Sequence, residues 1–445
     1  MKLHKLFTVC ALLLASAGLA SAQTSYLYVT GSTAFRSFVE GVIPTVFDGG
    51  APSVISGYNG TTAGKQNCAI YSGNIGGNPW IIKTAWSGSE AGIQTVSGNV
   101  QINFLVDQTI SGGVAGTPVT GLDDVTQTSY VDNGNPVGTA GDEAIKQVPD
   151  ADMSDTTQSA SEFNGLYQSV TYPAINEAAA SPVGINVFKW IANKGSTLTA
   201  VTSQQLRALY AGGKLPLALF TGSTADEGST VYSTGRNPDS GTRVTALLES
   251  GIGTALTTVK QYQPQNSSNV WINGSTGGNV AKLVIWPADN VNGIPIATGN
   301  SGYSSGGNLA KSLNNDYTNG GAGIVVGAKT YNNGGSHALS LVAYAGAPDA
   351  DPQIGAGVVE LSYNGVKLGV SADYNTNTLL TEGQYTFWSK EHMNYGNSED
   401  ANHITVINSI ATALTTASGA VHISSMKVSR GGDGAVVTNN TYGTF

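Results

Sequence analysis

The stretch "SYLYVTGSTAFRSFVEGVIPTVF", Ser25 to Phe47, decides the fold. Tyr26, Tyr28 and Thr30 alternate with Ser25, Leu27 and Val29, the period-two pattern of a short β-strand. Gly31-Ser32-Thr33 then forms a turn of small residues whose hydroxyls can cap a helix. Phe35, Phe38, Val39, Val42 and Ile43 follow at helical spacing. Strand, small-residue turn and helix make one α/β unit.

The same order recurs along the chain. "PWIIKTAWSGSEAGIQTV" reads as a strand, Ile81 to Trp86, and then Ser87-Gly88-Ser89 entering a helix. "SPVGINVFKWIANKG" predicts a strand from Val183 to Phe188. "TLTAVTSQQLRALYAGG" predicts a helix with Thr202 or Ser203 as N-cap and Gly212-Gly213 at its C-terminal end. "TGRNPDSGTRVTALLESGIG" is a turn and then a helix from about Thr242 to Ser250. "GGAGIVVGAKTY" reads as an apolar strand and "ANHITVINSIATALTTAS" as an amphipathic helix. Stretches 107–147, 221–232 and 263–320, rich in Gly, Asn, Ser and Thr, read as loops. No fixed-period repeat is visible, which argues against a solenoid or propeller.

The first 22 residues, "MKLHKLFTVCALLLASAGLASA", have Lys2 and Lys5, an apolar run from Leu6 to Leu14 and then Ala20-Ser21-Ala22. That order predicts a cleaved export signal (1–22) and a periplasmic or secreted protein. Removing it takes away two lysines and no acid, which moves the net charge from −9 to −11. So acidic a chain is not expected to bind nucleic acid or an anionic membrane. A small anion is still permitted, because charges beyond about 8–10 Å are screened in physiological salt. Past the signal Cys68 is the only cysteine, so no intrachain disulfide is expected. His337, His392, His403 and His422 show no metal-ligand spacing, so neither a metal nor a cofactor is expected.

Three turn-to-helix junctions carry hydroxyls: Ser32-Thr33, Ser87-Gly88-Ser89 and Ser240-Gly241-Thr242. Helix capping explains any one of them. Together, with Arg236 four residues before the third, they suit an oxyanion, because helix starts offer unpaired N–H groups and arginine offers a planar fork. In "PDADMSDTTQSASEF", Asp150 and Asp152 read as a solvated acidic loop and Asp155 as a helix start. "GYSSG", Gly302 to Gly306, fits the G-x-S-x-G pattern of a serine hydrolase with Ser304 as nucleophile, but it lies in a polar stretch. "GIVVGAKT" mimics a phosphate loop with Ala328 out of place.

Taken in order, these segments resemble the phosphate-binding proteins of ABC transporters, within the periplasmic binding proteins of the second structural type. "TGSTAF" resembles that family's first ligand loop, "WSGSEAGI" its second, and "ADMSDTTQS" its "ASD" loop. "RNPDSGT" resembles the family's R-x-x-x-S-G-T, the most specific match, and the late "GYSSGGNLAKSLN…GGAGIVVGAKTY" and "EGQYTFWSKEHM" are similar to its later stretches. The likeness is patchy but ordered from about residue 26 to 430. The chain departs from the pattern at Ala34, where a hydroxyl is usual, in "YTFW", which lacks the proline, and in its long Gly/Asn insertions.

The resemblance implies a two-lobed α/β fold, each lobe a mixed sheet flanked by helices, with the ligand cleft between them. By position it implies residues 23–175 plus 340–445 as lobe 1, 176–339 as lobe 2, and crossings near 172–185 and 325–345. It also implies a non-enzymatic, monomeric protein that binds inorganic phosphate and meets an ABC-transporter permease. The ligand set it implies is Thr33, the amides of Ala34 and Phe35, Ser89 and Asp155 from the first lobe, with Arg236, Ser240, Gly241 and Thr242 from the second. Asp239 and Arg243 are expected to face away or to hold the turn. The competing readings are a secreted serine hydrolase and a surface adhesion protein built on the Gly/Asn-rich loops.

Overall fold

The computed structural model describes residues 23–50, 52–57, 68–105, 144–291, 293–335 and 337–439. The expected export signal and most of the 107–147 stretch lie outside the described residues. The fold is mixed α/β, built on one large mixed sheet flanked by helices.

Ten strands form the main path of the sheet: β1 (Ser25–Gly31), β2 (Ser53–Gly57), β3 (Cys68–Ile75), β4 (Asn78–Ala85), β5 (Ala151–Ser154), β6 (Gly184–Ala192), β7 (Lys214–Pro216), β8 (Thr230–Ser233), β9 (Leu339–Gly346) and β10 (Trp388–Tyr395). Their spatial order is β7-β8-β9-β6-β10-β5-β1-β4-β3-β2. β1 runs parallel to β4 and β5, and β8 runs parallel to β9. Helices α1 (Arg36–Val42), α2 (Ser89–Gly98), α3 (Ser203–Gly212), α4 (Gly241–Glu249), α5 (Gly306–Leu313), α6 (Ala347–Gly355) and α7 (Ala401–Leu414) flank it.

β6 is the seam of the molecule. Its first part, Gly184 to Val187, pairs with β10, and its second part, Phe188 to Ala192, pairs with β9. On one side of this seam, Leu27, Val29, Phe35 and Val39 of the first α/β unit pack with Ile407, Ile410 and Leu414 of α7. On the other side the sheet is covered on both faces, by a core around Trp190, Tyr210 and Tyr344 and by another around Tyr303, Leu309 and Leu341.

The chain returns through β10, which pairs with β6 at Trp388 and with β5 from His392 onward. The expected return at 325–345 is therefore too early. Residues 324–326 and 329–331 form a hairpin in a separate four-stranded sheet, and β9 stays between β8 and β6. Leu361, Leu380, Tyr385 and Phe387 pack into the Trp190 core. The 340–445 block thus divides at β10 instead of belonging whole to the first half. Stretches 221–232 and 263–320 are not plain loops either: they contain β8, short strands at 262–265 and 282–285, and α5.

Local signals hold where the caps are strong. Thr202 caps α3, accepting from the Gln205 amide while the Gln205 side chain accepts from the Thr202 amide, and Gly213 ends the helix at φ 81°. Thr202→Ala removes this reciprocal cap and is expected to destabilise the protein by about 0.5–2 kcal/mol. Urea unfolding followed by circular dichroism measures it; an unchanged midpoint would mean that the cap contributes nothing here.

Candidate functional site

Each half of the molecule delivers its turns to the same place. β1 ends at the turn before α1, β4 ends at the turn before α2, and β5 leads directly to Asp155. From the other half, β8 leads through Thr234–Ser240 to the start of α4. Ser32, Thr33, Ala34, Gly88, Ser89 and Asp155 face Arg236, Ser240, Gly241 and Thr242 across a closed space too narrow to admit a water molecule.

Arg236 supplies the positive charge. Its side chain is buried, with Nε donating to the Tyr303 carbonyl at 3.0 Å. Nη2 donates to the Ser304 carbonyl at 2.8 Å and to Thr33 Oγ1 at 3.3 Å. Asp155 and Asp349 act on it through space, but among the described residues Arg236 forms no ion pair. The "GYSSG" stretch therefore holds the arginine with main-chain oxygens, and Ser305 caps α5.

Asp155 lies opposite and is also buried. Ser89 Oγ donates to its Oδ1 at 2.6 Å, and Thr242 Oγ1 donates to its Oδ2 at 3.2 Å. Burial pushes its carboxyl up to about 6, and the hydrogen bond from Ser89 and the charge of Arg236 hold back a larger rise. Glu90 and Asp152, close by, are pushed up to about 8, again chiefly by burial.

The halves touch through main chain as well. The Glu90 amide donates to the Asp239 carbonyl at 3.0 Å. Two glycines permit this approach. A Cβ on Gly88, at φ 111°, would lie 2.4 Å from the Asp239 carbonyl oxygen, and a Cβ on Gly241 would lie 1.6 Å from Asp155 Oδ1. Arg243 turns away from the space: it is buried and donates to the Arg236 carbonyl at 3.1 Å and to both oxygens of Asn300.

The structure thus brings together Thr33, Ala34, Ser89, Asp155, Arg236, Ser240, Gly241 and Thr242. Phe35 was expected there through its main-chain amide alone. Its ring is buried in the core, where a Cβ on Gly184 would meet it at 2.7 Å. Asp152 is no solvated loop residue, because it is fully buried on β5. Sequence reasoning left out Ser32 and Gly88, although both stand in turns it had singled out. It also gave no sign of the Tyr303 and Ser304 carbonyls, since main-chain acceptors have no residue signature.

No family model matches the chain, and no curated protein matches it. Among solved structures, it is similar to one from Clostridium perfringens, described as a phosphate ABC transporter substrate-binding protein with bound phosphate. The identity is 12% and the TM-score 0.41, over 90% of this chain and 100% of that one. It is similar to an ABC-type phosphate transport receptor from Vibrio cholerae at 12% identity and a TM-score of 0.39, over 89% of this chain and 99% of the other. A phosphate-binding protein from Stenotrophomonas maltophilia matches at 12% identity and a TM-score of 0.33, over 85% of this chain and 81% of that one. At identities and TM-scores of this size, the meaning of the site rests on its own residues.

Proposed function

We propose that the chain is an exported solute-binding protein that captures inorganic phosphate between its two halves for delivery to an ABC-transporter permease. Arg236 carries this reading. Its buried guanidinium has no carboxylate within ion-pair distance among the described residues and is attracted only through space by Asp349, Asp155 and Asp239, so an oxyanion between the halves would be its direct partner. The hydroxyls of Thr33 and Ser240 border the same space and can donate to oxyanion oxygens, while those of Ser89 and Thr242 donate to Asp155.

Asp155 narrows the ligand. An ionised carboxylate repels an anion unless that anion brings a proton to donate. Hydrogen phosphate carries one near neutral pH and sulfate does not. A site that leaves the wrong ligand unpaired against a buried carboxylate discriminates strongly. Contacts across the seam, such as Thr242 with Asp155 and Arg236 with Thr33, suit a cleft that closes on its ligand.

Calorimetry and thermal unfolding with phosphate test the reading. Phosphate at 100 times its Kd is expected to stabilise the protein by about 2.7 kcal/mol, and sulfate at the same concentration by much less. No heat and no thermal shift with phosphate would sink the proposal; equal responses to both ions would sink its choice of ligand.

A further inference from the structure

At the opposite end of β5 from Asp155, the chain gathers a second group of side chains that the anion site does not use. Asp150 immediately precedes β5, Glu399 lies just before α7, and His403 lies in the first turn of α7. One donor atom from each falls within 4.8 Å of the other two. His403 Nδ1 and Glu399 Oε2 are already 3.1 Å apart. We propose that Asp150, Glu399 and His403 form a binding site for one divalent transition-metal ion, with zinc as the best-fitting metal.

The surroundings favour a cation. The three residues open into a cavity of about 330 Å3, which leaves room for water ligands. Asp400 borders the same cavity, with Oδ2 3.7 Å from His403 Nδ1, and none of the described lining residues is lysine or arginine. The Tyr28 amide donates to Asp150 Oδ2 at 2.7 Å and fixes the orientation of that carboxylate.

The donor set selects the metal. One imidazole nitrogen and two carboxylate oxygens, with a water completing a tetrahedron, is an ordinary zinc arrangement. Calcium and magnesium prefer oxygen-only cages. Zinc bonds of about 2.0–2.2 Å place neighbouring donors roughly 3.3–3.5 Å apart, so the group needs only side-chain rotation to close. Sequence spacing gave no sign of the site, because Asp150 reaches His403 only through the pairing of β5 with β10, the strand that precedes α7.

The test uses the full exported chain, stripped with a chelator and titrated with zinc chloride in phosphate-free buffer. Calorimetry should show one equivalent bound with release of protons, and thermal unfolding should show a rise. Glu399→Gln and His403→Asn should each weaken zinc binding by about tenfold or more. Glu399→Gln should leave phosphate binding intact, which separates this proposal from the reading of the anion site. Absence of zinc binding by the unaltered chain would overturn the proposal, as would two variants that bind like it. Calcium or magnesium binding as tightly as zinc would overturn the assignment of the metal.

Discussion

Arg236→Ala is expected to abolish high-affinity phosphate binding. The guanidinium is the full positive charge facing the space, and it is fixed there by the Tyr303 and Ser304 carbonyls. Removing one partner of a buried ion pair costs about 3–5 kcal/mol. At 1.4 kcal/mol per factor of ten, the affinity should fall by roughly a hundredfold to several thousandfold. Arg236→Lys keeps the charge but loses the planar fork, so an intermediate loss is expected. Alanine also leaves the two carbonyls without their donor and should lower the stability of the free protein. For that reason the measurement is the phosphate-dependent heat and the phosphate-dependent thermal shift, not the melting temperature itself. If Arg236→Ala binds phosphate as tightly as the parent, the site lies elsewhere.

How much of this was legible in the sequence follows from where each signal resides. The first α/β unit could be read because its strand alternates and its turn is made of small residues, and the structure places β1 and α1 there. Thr202 could be read because a capping box is a local device. Ser89, Ser240 and Thr242 could be read as a group because hydroxyls recur at successive turn-to-helix junctions, and the structure gathers them in one place. Long-range partnership left weaker traces. β9 is buried at all eight positions, and a strand covered on both faces loses the alternation that would reveal it. β8 is only four residues long and lay hidden beside a polar stretch. Phe35 was expected to contribute its main-chain amide, and its benzyl side chain is buried in the core. Asp152 looked solvated because a charged residue usually is. Its actual place on β5, near Glu391 and opposite Asn394, comes from pairing with a strand more than two hundred residues later.

Asp155→Asn is expected to collapse the preference for phosphate over sulfate, and the parent protein should lose the same preference on acidification. Burial raises the Asp155 carboxyl from 3.8 to about 6. A raised acid holds its proton more tightly in the folded protein, so ionising it costs stability as pH climbs from 3.8 toward 6. Above about pH 6 the group is a carboxylate, which accepts the proton of hydrogen phosphate and repels sulfate. Below that pH it becomes a donor, and sulfate is no longer penalised. Sulfate affinity should therefore rise as pH falls from 7.5 to 5, and the ratio of phosphate to sulfate affinity should shrink. Glu90 and Asp152, both near 8, stay largely protonated across this range and do not supply the change. Asparagine at 155 can present an N–H to either ion, so the variant should start at the low ratio and remain there at every pH. A lost charged acceptor corresponds to about 1.5–3 kcal/mol, or roughly ten- to a hundredfold in the ratio at pH 7.5. Calorimetric titration of both ions at pH 7.5, 6 and 5, in parent and variant, measures it. A variant that still prefers phosphate by the parental factor would take the discrimination away from Asp155. A parental ratio that stays constant down to pH 5 would show that its proton does not control which ion is held.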